Sequence, residues 1–363
     1  MRFTLDATPL LGNRTGIGRY VAELLAATAA ELSGSDDRVD VSTWSARGGR
    51  VADLPPGVRQ TGPRVPARLL RAGWTRGSWP PVELLVGRTD VFHGTNFVSP
   101  PTRGAAEVVT VHDLTYVDHP GTVSADSLAY RDLVQRALDR GAHVVTPSET
   151  VAAAVRERYG LDASRVTPTP LGVDPAWSAP PRPLSTAAPW VPPEYVVFVG
   201  SLDPRKNLPR LLEAHAALRA SRPGTPDLVL AGPAGRETAS TARPGVVPTG
   251  WLAENDLRAL VAGARALVLP SLDEGFGLPV LEALAAGRPV LAADIPALRE
   301  VAGGHAQLAD PVDVDALADG LARALDAPDD EAARASRRAW ASGFTWQECA
   351  RRTLSVYRRA ARL

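Results

Sequence analysis

Two carboxylates, Glu274 and Glu282, are spaced by eight positions, the first in a glycine-rich turn and the second on the apolar run behind it. The apolar run before the turn predicts a buried parallel strand, and the run after it is typical of a helix. Gly275 and Gly277 would let the backbone approach a ligand and present N–H groups that favour phosphate. A carboxylate accepts both hydrogen bonds of a vicinal diol. The spacing therefore predicts a site for a nucleotide and its sugar.

Lys206 is the only lysine of the chain, although lysine and arginine together total 40. It follows Arg205 just after the apolar run 195–199, which predicts a strand, and it precedes Asn207, which we predict caps a helix. An ammonium meets a diphosphate from several directions, whereas a guanidinium imposes a planar fork. The alternative is a single surface lysine without a role. We predict that Arg205 and Lys206 bind a diphosphate.

Two motifs of the first half also carry candidate ligands. His112 ends the apolar run 108–112, and α/β folds bind ligands at strand ends, although a lone histidine there is more often structural. His93 ends another short predicted strand and is a further candidate to line the ligand cleft beside His112. Gly16 and Gly18 open a helix after the first strand, where N–H groups can meet a diphosphate. They lack the full dinucleotide fingerprint, which argues against a nicotinamide or flavin enzyme.

The segment from Ser271 to Glu282, with its Gly-Phe-Gly-Leu-Pro run and the following Glu-Ala-Leu-Ala-Ala-Gly-Arg-Pro-Val, resembles the Glu-x7-Glu signature of the family-4 retaining glycosyltransferases. The resemblance covers nearly the whole chain. It implies the α/β GT-B fold, in which two Rossmann-like domains with parallel sheets face each other across a cleft. It also implies that His112 contacts the donor sugar and that Arg205 and Lys206 neutralise the departing diphosphate.

The expected catalytic residues are His112, Arg205, Lys206 and Glu274. Ser201 stands where some relatives carry an arginine, so fewer phosphate contacts are expected. Glu274 is expected to bind sugar hydroxyls. The residues expected to bind the nucleotide sugar are Gly16, Gly18, Ser201, Arg205, Lys206, Gly275, Phe276, Gly277, Leu278 and Glu282.

The length of 363 residues favours two domains, and strands that alternate with helices predict parallel sheets. A proline-rich linker at 177–193 separates an acceptor-binding domain, 1–176, from a nucleotide-sugar domain, 194–345. The resemblance implies that a last helix, 346–363, crosses back to the first domain. Strands are predicted at 3–6, 91–94, 108–112, 144–147, 195–199, 228–231, 246–249, 267–269 and 290–292, with helices near 18–30, 127–139, 150–159 and 346–362.

Composition limits the classes of partner. A net charge of zero and a pI near 7.0 argue against a general nucleic-acid binder. The start of the chain lacks the pattern of a signal peptide, and no apolar run approaches the ~18 residues of a membrane span, so we expect a cytoplasmic protein. Cys349 is the only cysteine, which excludes an internal disulfide and a cysteine metal cluster.

Cleavage of a sugar–diphosphate bond develops charge that fixed cations and backbone dipoles can stabilise. The only Asp-x-Asp, at Asp313 and Asp315, is remote from the other motifs, so we predict catalysis without a metal or other cofactor. The resemblance implies retention of the anomeric configuration. The combined motifs resemble bacterial mannosyltransferases of polysaccharide and O-antigen assembly, which makes GDP-mannose the expected donor and a glycan or lipid-linked sugar the expected acceptor.

Several alternatives stay open. The basic and aromatic segment 64–79, with Arg64 and Trp79 near its ends, predicts either peripheral contact with the inner face of the cell membrane or an ordinary surface helix. A sugar-nucleotide epimerase or a phosphorylase shares the architecture, and Lys206 is the only candidate for a phosphorylase cofactor lysine. A non-catalytic two-lobed binding protein, for a sugar or for a sugar nucleotide, also fits the two domains, although a sensor of free sugar has no need of a diphosphate cradle.

Overall fold

A computed structural model of the chain describes residues 1–12, 16–45, 49–63, 65–180, 191–233, 235 and 241–362. Arg64, residues 13–15 just before Gly16 and residues 181–190 of the predicted linker lie outside this part. The chain divides into two compact units. Unit 1 comprises residues 1–172 with 345–363, and unit 2 comprises residues 173–344.

Unit 1 is built on a parallel sheet in the order β3-β2-β1-β4-β5-β6-β7. Its central strands are apolar and buried because helices cover both faces of such sheets. The strands are β1 Arg2–Asp6, β2 Arg38–Ser42, β3 Arg59–Thr61, β4 Val91–Gly94, β5 Ala106–Thr110, β6 His143–Thr146 and β7 Val166–Pro168.

The helices of unit 1 include a last helix from the far end of the chain, which packs against the first helix. The ring centroids of Phe3 and Tyr357 lie 5.1 Å apart, so this last helix packs against the first strand in the core of unit 1. The helices are α1 Gly16–Glu31, α2 Ala67–Arg76, α3 Glu83–Val86, α4 Thr115–Asp118, α5 Ala125–Leu128, α6 Tyr130–Asp139 and α7 Glu149–Tyr159. The last is α14, Trp346–Ala360.

Unit 2 repeats this architecture with a parallel sheet in the order β10-β9-β8-β11-β12-β13. Its strands are β8 Tyr195–Val199, β9 Asp227–Ala231, β10 Val246–Gly250, β11 Ala266–Leu269, β12 Val290–Ala293 and β13 Gln307–Ala309. Its helices are α8 Leu208–Ser221, α9 Glu254–Gly263, α10 Leu278–Ala285, α11 Pro296–Ala302, α12 Val314–Asp326 and α13 Glu331–Ala341.

The predicted α/β class with two parallel sheets is confirmed. Strands β2, β3, β7 and β13 were not predicted, and three of them span only three residues. In each sheet the strand order runs outward in both directions from a central pair of strands. This pair is β1 and β4 in unit 1 and β8 and β11 in unit 2. Among the described residues, no helix combines the length and apolar character needed to cross a bilayer.

Candidate active site

The candidate site of unit 2 lies where the loops after β8 and β11 meet. These strands are neighbours, but the chain leaves them toward opposite sides of the sheet. Such a switch point opens a crevice at the carboxyl ends of the strands, where α/β proteins bind ligands. Arg205 and Lys206 follow β8, and Glu274 follows β11. The two loops are joined by a backbone hydrogen bond of 2.9 Å from Leu272 N–H to the Arg205 carbonyl.

Glu274 is held by three side-chain donors. Lys206 Nζ donates to Oε1 at 2.5 Å and Ser271 Oγ donates to the same oxygen at 2.7 Å. Arg205 Nη1 donates to Oε2 at 3.1 Å and also to the Asp273 carbonyl at 2.8 Å. The structure thus brings together three of the predicted catalytic residues, Arg205, Lys206 and Glu274.

This cluster is a buried ion pair with a second cation at its edge. Lys206 is 8% exposed and Glu274 is 9% exposed. Burial raises the pKa of Glu274, but the charges of Lys206 and Arg205 and the hydrogen bonds to the carboxylate outweigh it and lower that pKa to about 2. Glu274 is therefore an anion at neutral pH, and it offsets the cost of burying the Lys206 ammonium.

Asn207 positions the loop in a way that the sequence did not reveal. It lies in the left-handed region with a φ of 58°. The prediction that its side chain caps α8 is wrong, because Nδ2 donates instead to the carbonyls of Pro270 at 3.0 Å and Pro311 at 2.6 Å. Asparagine tolerates this backbone conformation better than most residues. The two hydrogen bonds tie the Lys206 loop to the segments that follow β11 and β13.

The glycine-rich turn leads directly into α10. Gly277 has a φ of 99°, and a Cβ there would lie 2.4 Å from Leu298 Cδ2, so only glycine fits without displacement. The helix begins at Leu278. The Phe276 ring packs in the core, 5.9 Å from the Phe344 ring, so only its backbone is available to a ligand.

Three other residues of unit 2 that are predicted to bind the nucleotide sugar have distinct surroundings. Glu282 is the fifth residue of α10 and only 3% exposed. Ser201 Oγ donates to Asp203 Oδ2 at 2.6 Å, which closes a local turn before Arg205. Gly275 is buried beside Glu274 in the same turn. Ser201 therefore contributes to the shape of the loop that carries Arg205.

In unit 1, His112 follows β5 and anchors the loop after β4. Its Nε2–H donates to the Thr95 carbonyl at 2.8 Å, and Thr95 Oγ1 donates to the Asp6 carbonyl at 2.5 Å. Burial lowers the pKa of His112, although the Thr95 carbonyl and Asp113 raise it in part. His112 is thus a neutral imidazole at pH 7 that connects the ends of three neighbouring strands, β1, β4 and β5.

The hypothesis that His93 lines a ligand cleft is wrong. Its ring is 0% exposed, and both nitrogens are engaged, Nδ1 with Tyr357 Oη at 2.6 Å and Nε2 with Thr110 Oγ1 at 2.7 Å. Thr110 Oγ1 in turn lies 2.9 Å from Tyr20 Oη. His93 therefore joins α14, the sheet and α1 within the core of unit 1.

Gly16 is the exposed first residue of α1 and Gly18 is buried in its first turn. Both lie in unit 1 with His112, whereas the Arg205, Lys206 and Glu274 cluster lies in unit 2. Asp313 Oδ1 accepts from the N–H groups of Asp315 and Ala316 and so caps α12. Catalysis without a metal and the binding roles of the glycines stay predictions.

Two family models together match most of the chain. Residues 14–177 match the family described as Glycosyltransferase Family 4, and residues 193–327 match the family described as Glycosyl transferases group 1. The chain is 30% identical to the O-antigen chain mannosyltransferase B of Escherichia coli in an alignment of 286 positions that covers 74% of each protein. It belongs to glycosyltransferase family 4, so the predicted family is confirmed.

Two further relatives and one solved structure extend the comparison. The MMP alpha-(1->4)-mannosyltransferase of Mycolicibacterium hassiacum is 30% identical, with 79% of this chain and 77% of the relative covered. A glycogen synthase of Mycobacterium tuberculosis is 31% identical, with 82% and 73% covered. The structure of a sucrose-phosphate synthase from Thermosynechococcus elongatus superposes with a TM-score of 0.74 at 20% identity, with 99% and 98% covered. The fold is that of the GT-B glycosyltransferases, and the protein is a glycosyltransferase.

Proposed function

We propose that the protein transfers mannose from GDP-mannose to a glycan or lipid-linked acceptor, with retention of configuration and without a metal. Two of the three relatives described above are named mannosyltransferases, which supports the choice of sugar. The observation that carries the mechanism is the convergence of Arg205 and Lys206 on Glu274 at the switch point of unit 2. Two cations fixed there by a buried carboxylate suit a leaving diphosphate.

In this mechanism the donor diphosphate lies against Arg205, Lys206 and the N–H groups of the glycine turn. As the bond to the sugar breaks, negative charge grows on the phosphate, and the fixed cations stabilise it without rearrangement. A side chain that is already held by Glu274 loses little conformational freedom when the ligand binds. Lys206, as a compact ammonium, contacts the diphosphate without the planar geometry that an arginine imposes.

Glu274 has a second role as a ligand for the donor sugar. A carboxylate offers about four acceptor positions, and Glu274 uses three of them for Lys206, Arg205 and Ser271. The remaining position suits one sugar hydroxyl. A carboxylate with a pKa of about 2 and three hydrogen bonds is a weak nucleophile, which disfavours a covalent glycosyl intermediate on Glu274. Glu282 is assigned to the ribose of the nucleotide.

We also propose that the segment 64–79 contacts anionic membrane. Within its described part, Leu69 is 67% exposed and Trp79 is 62% exposed, and the side chains of Arg68 and Arg76 are exposed as well. Exposed apolar and basic groups within one short segment suit a bilayer rich in anionic lipid. Vesicles of phosphatidylglycerol should sediment the protein at low salt, and a Leu69→Ser, Trp79→Ser variant should stay in the supernatant. Equal sedimentation of both proteins would contradict this assignment.

The donor is tested by incubating the purified protein with GDP-mannose, GDP-fucose, UDP-glucose and TDP-glucose, each with and without EDTA. We expect slow hydrolysis of GDP-mannose that EDTA does not change, and loss of this turnover in Lys206→Ala. Arg210→Ala is the matched control, because Arg210 is an exposed cation on α8 that pairs with Glu213. The anomeric configuration of the product with methyl α-mannoside as acceptor, read by NMR, tests retention.

Other outcomes favour the alternatives. Conversion of the donor to an isomeric sugar nucleotide without an acceptor would indicate an epimerase. Dependence of turnover on inorganic phosphate would indicate a phosphorylase. Tight binding of a sugar nucleotide without any turnover would indicate a binding protein. Turnover of UDP-glucose in preference to GDP-mannose would keep the transferase and overturn the assigned donor.

A further inference from the structure

Asn207 joins three loops of unit 2 through its side chain. It directly follows Lys206 and precedes α8, and it is only 6% exposed. Its Nδ2 group donates to the carbonyl of Pro270, which follows β11, and to the carbonyl of Pro311, which follows β13. Pro311 belongs to none of the motifs that the sequence indicated. One buried amide therefore connects the loops that precede α8, α10 and α12.

The backbone around Asn207 sets the direction of the Lys206 side chain. Residues Pro204–Lys206 form a short 3-10 turn, which the Asn207 N–H closes by donating to the Pro204 carbonyl at 3.0 Å. With a φ of 58°, Asn207 then redirects the chain into α8, which begins at Leu208. Because Lys206 is the residue just before this change of direction, the position of its ammonium depends on where Asn207 is held.

The loop after β13 is a firm point of attachment for the Asn207 amide. Asp310 Oδ1 accepts from the Val312 N–H at 3.0 Å, and the Asp313 side chain caps α12. The same helix α12 packs along α8. Pro311 therefore lies in a segment that its own hydrogen bonds and a packed helix keep in place.

The hydrogen bonds of Asn207 differ from the other links between the loops after β8 and β11. Two of those links involve Arg205, whose carbonyl accepts from the Leu272 N–H and whose guanidinium donates to the Asp273 carbonyl. The guanidinium is also a proposed ligand of the diphosphate, so its link is open to competition from the donor. Both hydrogen bonds of Asn207 are buried, so this side chain acts on a ligand through Lys206 and not by direct contact.

The exact position of Lys206 matters because its proposed role is electrostatic. Its Nζ lies 2.5 Å from Glu274 Oε1. A fixed cation stabilises developing charge only while it is aimed at the place where that charge appears, and a displacement of ~1 Å can lower a rate by ~10²-fold. Removal of the Asn207 side chain leaves the carbonyls of Pro270 and Pro311 without this donor, so the three loops are no longer held together there.

We propose that Asn207 is a positioning residue of the transfer reaction, which holds Lys206 in place by fixing its loop to the loops after β11 and β13. The proposal rests on the diphosphate-binding role proposed above for Lys206. Through Asn207, the loop after β13 contributes to the rate of transfer.

The first test uses the fact that Lys206 is the only lysine of the chain. Protein made with lysine that is isotope-labelled at Cε gives one lysine signal in NMR, which reports the surroundings of Lys206 directly. Asn207→Gly removes the amide and keeps the left-handed backbone, which glycine adopts readily. We expect this variant to shift the Lys206 signal. Asp53→Gly is the matched control, because Asp53 also has a positive φ, 56°, and is exposed in unit 1, so it should leave the signal unchanged.

The second test separates an effect through Lys206 from a general loss of structure. Asn207→Gly should lower kcat for donor turnover by ~10-fold and leave KM within ~3-fold, because transition-state stabilisation is lost while most ground-state contacts remain. In a Lys206→Ala background, the same substitution should cause no further loss of kcat, since the residue that it positions is absent. Asn207→Asp keeps the size of the side chain but presents only acceptor oxygens to the two carbonyls, so it should behave like Asn207→Gly. Circular dichroism verifies that each variant folds.

Two results would overturn the proposal: an unchanged Lys206 signal in Asn207→Gly, or equal losses of kcat in the presence and absence of Lys206. The signal is recorded without a donor, which separates these failures from failure of the proposed function. Donor turnover by the unmodified protein together with an unchanged signal refutes the role of Asn207 alone. A shifted signal in a protein without donor turnover refutes the proposed function and leaves Asn207 with a structural role only.

Discussion

Lys206 and Glu274 stand 68 positions apart in the chain, and the lysine Nζ lies 2.5 Å from the glutamate Oε1. The pair forms only after β8 and β11 have become neighbours, because each residue belongs to the loop that follows one of these strands. Its geometry therefore reports whether the sheet of unit 2 is correctly assembled. Removal of one partner leaves the other charge buried, which costs more than the pair contributes.

Lys206→Ala should lower kcat for donor turnover by ~10²–10³-fold, which is the usual cost of removing one group that stabilises a developing oxyanion. Lys206→Arg keeps the charge but brings a larger planar group against Glu274 and Ser271, so it should recover only a small part of the rate. Steady-state kinetics with GDP-mannose measure both effects, and Arg210→Ala is the control. A Lys206→Arg enzyme with full activity would show that only charge is needed at this position.

The carboxyl of Glu274 makes stability depend on pH in the acid range. Its pKa is about 2 in the folded protein and near 4.5 when unfolded, so the unfolded state binds the extra proton between these values. The Glu274 contribution is fully present above pH 4.5 and declines by ~1.4 kcal/mol per pH unit as the pH falls toward 2. Urea unfolding at pH 5 and pH 3.5 measures this decline.

Glu274→Gln should lack this part of the pH dependence and should be less stable at pH 7 by ~3–5 kcal/mol, because Lys206 stays buried without a counter-charge. Glu213→Gln is the control, since Glu213 is exposed on α8. If Glu274→Gln and the unmodified protein lose the same free energy of unfolding between pH 5 and pH 3.5, the ion pair is absent in solution.

His93 should cause a second loss of stability on acidification, which begins at a higher pH than the loss caused by Glu274. Burial, with a smaller effect of His112, lowers the pKa of His93 from 6.5 to about 3. The unfolded state therefore binds one more proton between pH 6.5 and 3, and the free energy of unfolding falls by ~1.4 kcal/mol for each unit of acidification in this window. His93→Gln should reduce the loss of unfolding free energy between pH 6.5 and pH 5.5 by ~1 kcal/mol, because the unfolded histidine is already half protonated at pH 6.5.

Gly232 tests the close approach of the loops after β8 and β9. A Cβ at this position would lie 2.0 Å from the Gly200 carbonyl oxygen, so Gly232→Ala must displace the backbone that leads to Lys206. We expect a loss of donor affinity of at least 10-fold together with lower stability. Gly250→Ala is the control, because it also has a positive φ but has open space around its Cβ position. Equal donor affinity in both variants would contradict the role of this contact.

The sequence predicted those parts of the fold that carry a local signal. The strand at 195–199 is an apolar run, and its bounds are those of β8. The edge strand β3 gave no such signal, since it is polar and half exposed and spans only Arg59–Thr61. Three-residue strands depend on pairing with a neighbour and not on their own composition.

The functional residues also divide into those with a local sequence signal and those without one. Lys206 and Glu274 were found from residue type and from the glycines beside them, which are properties of short segments. Unit 1 has a pocket lined by Asp6, Arg71 and Asn96 that was not predicted, because these residues meet only when β1 and β4 pair and α2 packs nearby. His93 was misjudged because the sequence does not reveal Tyr357 as its partner, 264 positions away.

Because α14 completes unit 1, the order of synthesis differs from the order of folding. Residues 1–172 leave the ribosome first, yet Phe3 and His93 find Tyr357 only after all of unit 2 has been made. Unit 2 is continuous in the chain and can fold while unit 1 still has an uncovered apolar seam along α1. A nascent chain that stalls before residue 345 therefore presents a binding surface for chaperones, and the first half of the protein matures last.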